Sequence, residues 1–74
     1  MVATLRFDGA SRGNPGPASY GFVLAWDDIV VEGSDFIGTA TNNEAEYAAL
    51  QAGLEAALDH DIETVDIVGD SELI

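Results

Sequence analysis

Seventy-four residues make one small domain, and a chain of this length buries only about 60% of the surface its unfolded form exposes. Fourteen acids against two arginines and no lysine give a formal net charge of −12, which excludes recognition of a polyanion through a basic patch. With no cysteine there is no disulfide framework and no thiolate zinc site, and with no apolar run near 18 residues and no charged-then-apolar leader, a soluble cytoplasmic protein is expected.

The first element lies at Ala3 to Asp8, where Ala3, Leu5 and Phe7 alternate with Thr4, Arg6 and Asp8 as in a strand. Gly9 to Pro17 follows, with three glycines and two prolines that predict a loop. Tyr20 to Trp26 reads as a second strand. Asp27-Asp28 forms a two-residue turn into a third, from Ile29 to Glu32 and beyond, with another loop at Gly38 to Thr41.

Thr41-x-x-Glu44 fits a capping box, so a helix starts there, with Asn42 and Asn43 as alternative caps. Strong helix formers carry it to about Asp59. Thr64 to Gly69 is a last strand, ending at Asp70. The order β-β-β-α-β predicts an α/β fold with a mixed sheet. Three strands form an antiparallel meander, and the helix crosses over so that the fourth returns parallel beside the first. Ligands bind such sheets where the strand order reverses, and Asp8 and Asp70 both stand at that end.

On a helical wheel Tyr47, Leu50, Leu54, Ala57 and Leu58 share an arc that is expected to face the sheet, opposite Glu44, Gln51, Glu55 and Asp59. Glu46 falls inside the buried arc, where a carboxylate is costly unless paired, hydrogen-bonded or bound to metal. Asp8, Glu46 and Asp70 thus form a candidate oxygen-only cluster suited to Mg²⁺ or Mn²⁺ rather than zinc. Two such ions about 3.5–4 Å apart activate a water and stabilise a leaving oxygen in phosphodiester cleavage. Each acid also has a purely structural reading. Asp8 can start a turn, Asp70 can cap a helix through Asp70-Ser71-Glu72, and Glu46 can extend its carboxylate to solvent.

Other candidates carry less chemistry. His60 follows the helix and complements its C-terminus, and Trp26 packs at a strand end. Gly13-Asn14-Pro15-Gly16 lacks the Lys-Ser/Thr pair of a phosphate loop. Asn14, Asn42 and Asn43 offer neutral donors and acceptors near the same sheet edge, suited to nucleic-acid contacts on a protein with few cations. Turn or cap geometry is the alternative for each. The acidity itself reads either as a solvated surface or as adaptation to high salt. The second reading is preferred, because 47% hydrophobic content excludes an acidic disordered tail.

Asp8-Gly-Ala-Ser-Arg-Gly-Asn-Pro-Gly-Pro17, Thr41-Asn-Asn-Glu-Ala-Glu46 and Gly69-Asp70-Ser71 together resemble the three N-terminal motifs of type 1 ribonuclease H, in order, from about Leu5 to Ile74. The acidity and the absence of lysine resemble a haloarchaeal member. The resemblance implies a ribonuclease H-like fold of which residues 1–74 are the N-terminal portion. It also implies an endonuclease that cuts the RNA strand of RNA–DNA hybrids, with Asp8, Glu46 and Asp70 as catalytic ligands of two Mg²⁺ or Mn²⁺ ions. Glu46 then also senses the ribose 2′-OH. Gly9, Ser11, Asn14, Asn42 and Asn43 match substrate-contacting positions, whereas Glu72 replaces a common Gln.

The family continues beyond Asp70 with a helix, a fifth strand, further helices, a fourth carboxylate and a histidine. A sheet face and a strand edge are therefore expected to lack cover unless a following segment or second chain supplies it. Weak or absent hydrolysis is expected of the 74 residues alone. The alternatives are a non-catalytic nucleic-acid-binding or interaction module on the same half-fold and, last, a nucleotide-binding domain, which needs a second phosphate loop that this chain lacks.

Overall fold

The computed structural model describes residues 2–69; Asp70, Ser71 and Glu72 of the sequence reading lie outside them. Strands β1 (Val2–Ser11), β2 (Gly16–Trp26) and β3 (Ile29–Ala40) precede helix α1 (Asn42–Asp59) and strand β4 (Thr64–Gly69). The sheet order is β3-β2-β1-β4. β1 and β2, and β2 and β3, pair antiparallel, while β1 and β4 pair parallel with Val2 opposite Thr64 and Phe7 opposite Gly69. The meander and the parallel return follow the expected topology.

Two loops are shorter than composition suggests. β1 runs on through Gly9 to Ser11, because its end pairs with β2 down to Ser11 opposite Ala18. β3 likewise continues through Gly38 to Ala40. Its ladder with β2 slips between Ala18 and Ser19, which pair with Gly38 and Phe36, and Gly38 takes φ +80 there. A bulge absorbs the glycine that reads locally as a loop residue. Asp27 takes φ +50 in the tight β2–β3 turn, a conformation that aspartate tolerates better than most residues.

α1 covers one face of the sheet, and the side it turns inward corrects the wheel. Ala45, Ala49, Gly53 and Ala57 are the buried helix residues. Leu50 and Leu54 pack as half-buried flanks, while Tyr47 and Leu58 are exposed. A small-residue stripe wins because it lets the helix sit close on β1. A Cβ on Gly53 would lie 2.4 Å from Cδ1 of Leu5, which is fully buried with Leu24. Around them Ala3, Phe7, Trp26 and Ile62 complete the core. The opposite face of the sheet is bare among the described residues, with Val30, Phe36 and Val68 exposed.

Candidate metal and nucleic-acid site

Alternation along β1 turns Leu5, Phe7 and Gly9 toward the helix and Arg6, Asp8 and Ala10 toward the bare face. Asp8 is exposed there. It lines an open hollow of about 590 Å³ with Arg6, Ser19, Gly21, Glu32 and Ser34. Gly9, one residue on, is where the helix touches the strand. A Cβ on Gly9 would lie 2.3 Å from the carbonyl carbon of Ala45 and 2.5 Å from the amide nitrogen of Glu46. Only glycine permits this approach, and it brings the second turn of α1, with Glu46, against the strand segment that carries Asp8.

Glu46 is half-buried. Its Oε2 is fully buried and has no hydrogen-bond partner among the described residues. A buried acceptor left without a partner is costly, and a bound cation would satisfy it. Asp8 and Glu46 supply only carboxylate oxygens, which fits a hard divalent ion. Among the described residues no group of three or more acids, histidines or cysteines is assembled, and the third expected ligand, Asp70, lies outside them.

The loop and the helix start are clamped together. Asn42 Oδ1 accepts from the Ser11 amide at 2.7 Å, and Asn14 Oδ1 accepts from the Asn42 amide at 3.1 Å. The Ser11 hydroxyl bonds the Gly13 carbonyl, and the Arg12 amide donates to Pro17 O at 2.8 Å. Asn14 Oδ1 thus satisfies an amide at the helix start, as a cap does, whereas Asn42 Oδ1 ties the helix start to the end of β1. Both residues are exposed, and among the described residues their NH₂ groups make no side-chain hydrogen bond. Asn43 is also exposed on the first helical turn.

The capping box forms as read. Thr41 Oγ1 accepts from the Glu44 amide at 3.1 Å, and Glu44 Oε1 accepts from the Thr41 amide at 3.0 Å. These bonds, first from the Thr41 backbone and then from its side chain, hold the Glu44 carboxyl below the ordinary glutamate value. His60 caps the other end of α1 and packs on Trp26 with ring centroids 5.2 Å apart, so both are structural. The sequence reading passed over Arg6, although its place two residues from Asp8 in an alternating strand already puts both on one face.

A family model described as reverse transcriptase-like matches residues 6–74. Ribonuclease HI of Halobacterium salinarum is 60% identical over 70 residues, covering 92% of this chain and 35% of that protein. The crystal structure of RNase H1 from the same archaeon superposes with a TM-score of 0.91 at 56% identity, covering 99% of this chain and 57% of that one. LC11-RNase H1, solved in complex with an RNA/DNA hybrid, superposes at 0.84 with 39% identity, over 96% of this chain and 56% of that one. The chain therefore spans about a third of the curated relative and just over half of the solved structures. With a family model matched over nearly its whole length and a four-stranded sheet plus helix that follows the N-terminal portion of those structures, the chain belongs to the reverse transcriptase-like family of ribonuclease H folds.

Proposed function

We propose that the chain carries the metal-binding corner of an endonuclease that hydrolyses the RNA strand of RNA–DNA hybrids. The observation that carries this reading is the buried Oε2 of Glu46, without a partner among the described residues, on the helical turn that meets β1 at Gly9. Asp8 and Glu46, with Asp70 from the motif resemblance, would hold two Mg²⁺ or Mn²⁺ ions. When bound, such ions activate water and stabilise the leaving oxygen.

The protein residues contribute position and recognition. Asp8 and Glu46 fix the reacting linkage at the strand–helix contact. Glu46 meets the 2′-OH that distinguishes RNA from DNA. Asn14, Asn42 and Asn43 present neutral NH₂ donors to acceptors of the shallow minor groove, with Gly9 and Ser11 backing them. This division suits a chain whose net charge of −12 repels polyanions. A hybrid-bound structural neighbour supports the substrate class. A cytoplasmic, salt-rich setting completes the proposal, supported by the haloarchaeal relative.

Beside β4, Leu54, Ala57, Leu58, Ile62, Val65 and Ile67 line a mainly apolar groove with Glu63 at its edge. It supports cover by a following segment or a second chain, with slow hydrolysis by the 74 residues alone.

Two readouts test the proposal. Mn²⁺ or Mg²⁺ in molar salt should raise the melting temperature of the wild type but not of Glu46→Gln. A labelled hybrid should be cut slowly and only with metal, RNA and DNA duplexes should survive, and Asp8→Asn should abolish cutting. Metal-independent binding by both wild type and Asp8→Asn, with no metal-induced stabilisation, would favour a non-catalytic module.

A further inference from the structure

Asn14 and Asn42 join the β1–β2 hairpin to the start of α1 through their side-chain oxygens, one accepting from the Asn42 amide and the other from the Ser11 amide. A backbone N–H can only donate, so each bond requires the oxygen of the side-chain amide and excludes its nitrogen. Neither amide can turn over without losing its bond to the fold. Their NH₂ groups enter no side-chain hydrogen bond among the described residues. Glu44, the acid of that helical turn, directs Oε1 to the Thr41 amide instead. Asn43 differs from both. It joins none of the side-chain hydrogen bonds among the described residues, so its amide can present either end.

We infer that Asn14 and Asn42 are specificity-determining residues that disfavour guanine in the base pairs they meet, because the fold leaves each of them only a donor to offer. The inference rests on the hybrid-cleavage reading above and deepens it. In the minor groove A·T and T·A pairs show only acceptors, whereas G·C adds the guanine N2 amine, a donor. The wide, shallow groove of an A-form helix displays these base edges. An NH₂ group pairs with the acceptors but meets the guanine amine donor to donor. An amide able to rotate, as that of Asn43 is, answers the same amine with its oxygen.

The test is fluorescence anisotropy at fixed Mg²⁺, recorded before measurable cleavage, with two labelled RNA–DNA hybrids. One has a mixed sequence; in its copy inosine replaces every guanine of both strands, which removes the amine at every register. The readout is the ratio of the two affinities, since an added charge or a small structural loss weakens both alike. Wild type should bind the inosine copy about three- to tenfold more tightly. Asn14→Asp and Asn42→Asp keep the accepting oxygen and replace the NH₂ by a second acceptor. With the fold checked by circular dichroism, each should bind both hybrids more weakly, and the ratio should fall toward one. A fall in either variant assigns the discrimination to that residue. Asn43→Ala should weaken binding but keep the ratio. Equal binding of the two hybrids by wild type, an unchanged ratio in both Asp variants, or loss of the ratio in Asn43→Ala overturns the inference and leaves the cleavage reading intact. No hybrid binding by the wild type overturns the cleavage reading, and this inference with it.

Discussion

At the residue scale, glycines set how near the helix comes to the strand, and so where Glu46 sits. Gly53→Ala gains about 1 kcal/mol of helix propensity, but its Cβ would meet the Leu5 side chain at 2.4 Å. Overpacking costs about 1–3 kcal/mol, so a small net loss is expected. Gly9→Ala has no such relief, since its Cβ would strike Ala45 backbone at 2.3 Å. It should lose more stability than Gly53→Ala in chemical denaturation. It should also weaken Mn²⁺-induced stabilisation, because the helical turn that carries Glu46 must move away from the strand that carries Asp8. Equal stability and metal response for Gly9→Ala and wild type would remove the strand–helix contact from the site. Glu46 stands out in sequence as an acid among apolar helix positions. The helical turn that carries it meets β1 through a backbone contact at Gly9, which no side-chain pattern encodes.

At the element scale, α1 depends on its cap. Thr41→Ala should cost about 1 kcal/mol, measurable as a lower denaturation midpoint. The capping bonds also make stability pH-dependent. Glu44 has a folded pKa below its ordinary 4.5, so its contribution is present above about pH 4.5. It is lost as pH falls through the lowered folded value. Glu44→Gln should therefore flatten the acid limb of the stability curve, while the curve above pH 6 keeps its shape. An unchanged acid limb would show that the Thr41–Glu44 bonds do not persist in solution. The helix start was legible because capping chemistry is local. Its inward face was not, since the bulky Tyr47 and Leu58 suit a wheel but hold the helix off the sheet. Strand ends escaped the sequence reading for a related reason: pairing with β2 carries Gly9 and Gly38 through positions whose composition signals loops.

At the scale of the whole molecule, charge and cover dominate. Self-repulsion at −12 falls as the Debye length shrinks from about 10 Å at 0.1 M salt to about 3 Å at 1 M. The melting temperature should rise steadily across that range in KCl, and a flat or falling profile would contradict adaptation to salt. Salt also strengthens burial of the apolar groove beside β4, so sedimentation velocity alongside the melts should separate screening from association.

The sequence by itself determined the strand–helix order, the capped helix start, the parallel return beside the first strand and the family, because periodicity, caps and motifs are local or ordered along the chain. Tertiary structure decided which helix face turns inward, how far the strands run, and that the asparagine carbonyls serve the fold. It also decided that Glu46 keeps a buried oxygen without a partner among the described residues. The helix meets the strand where Gly9 faces Ala45, and the Ser11 amide reaches Asn42 from the end of β1; contacts between segments so far apart in the chain leave no periodic trace in the sequence.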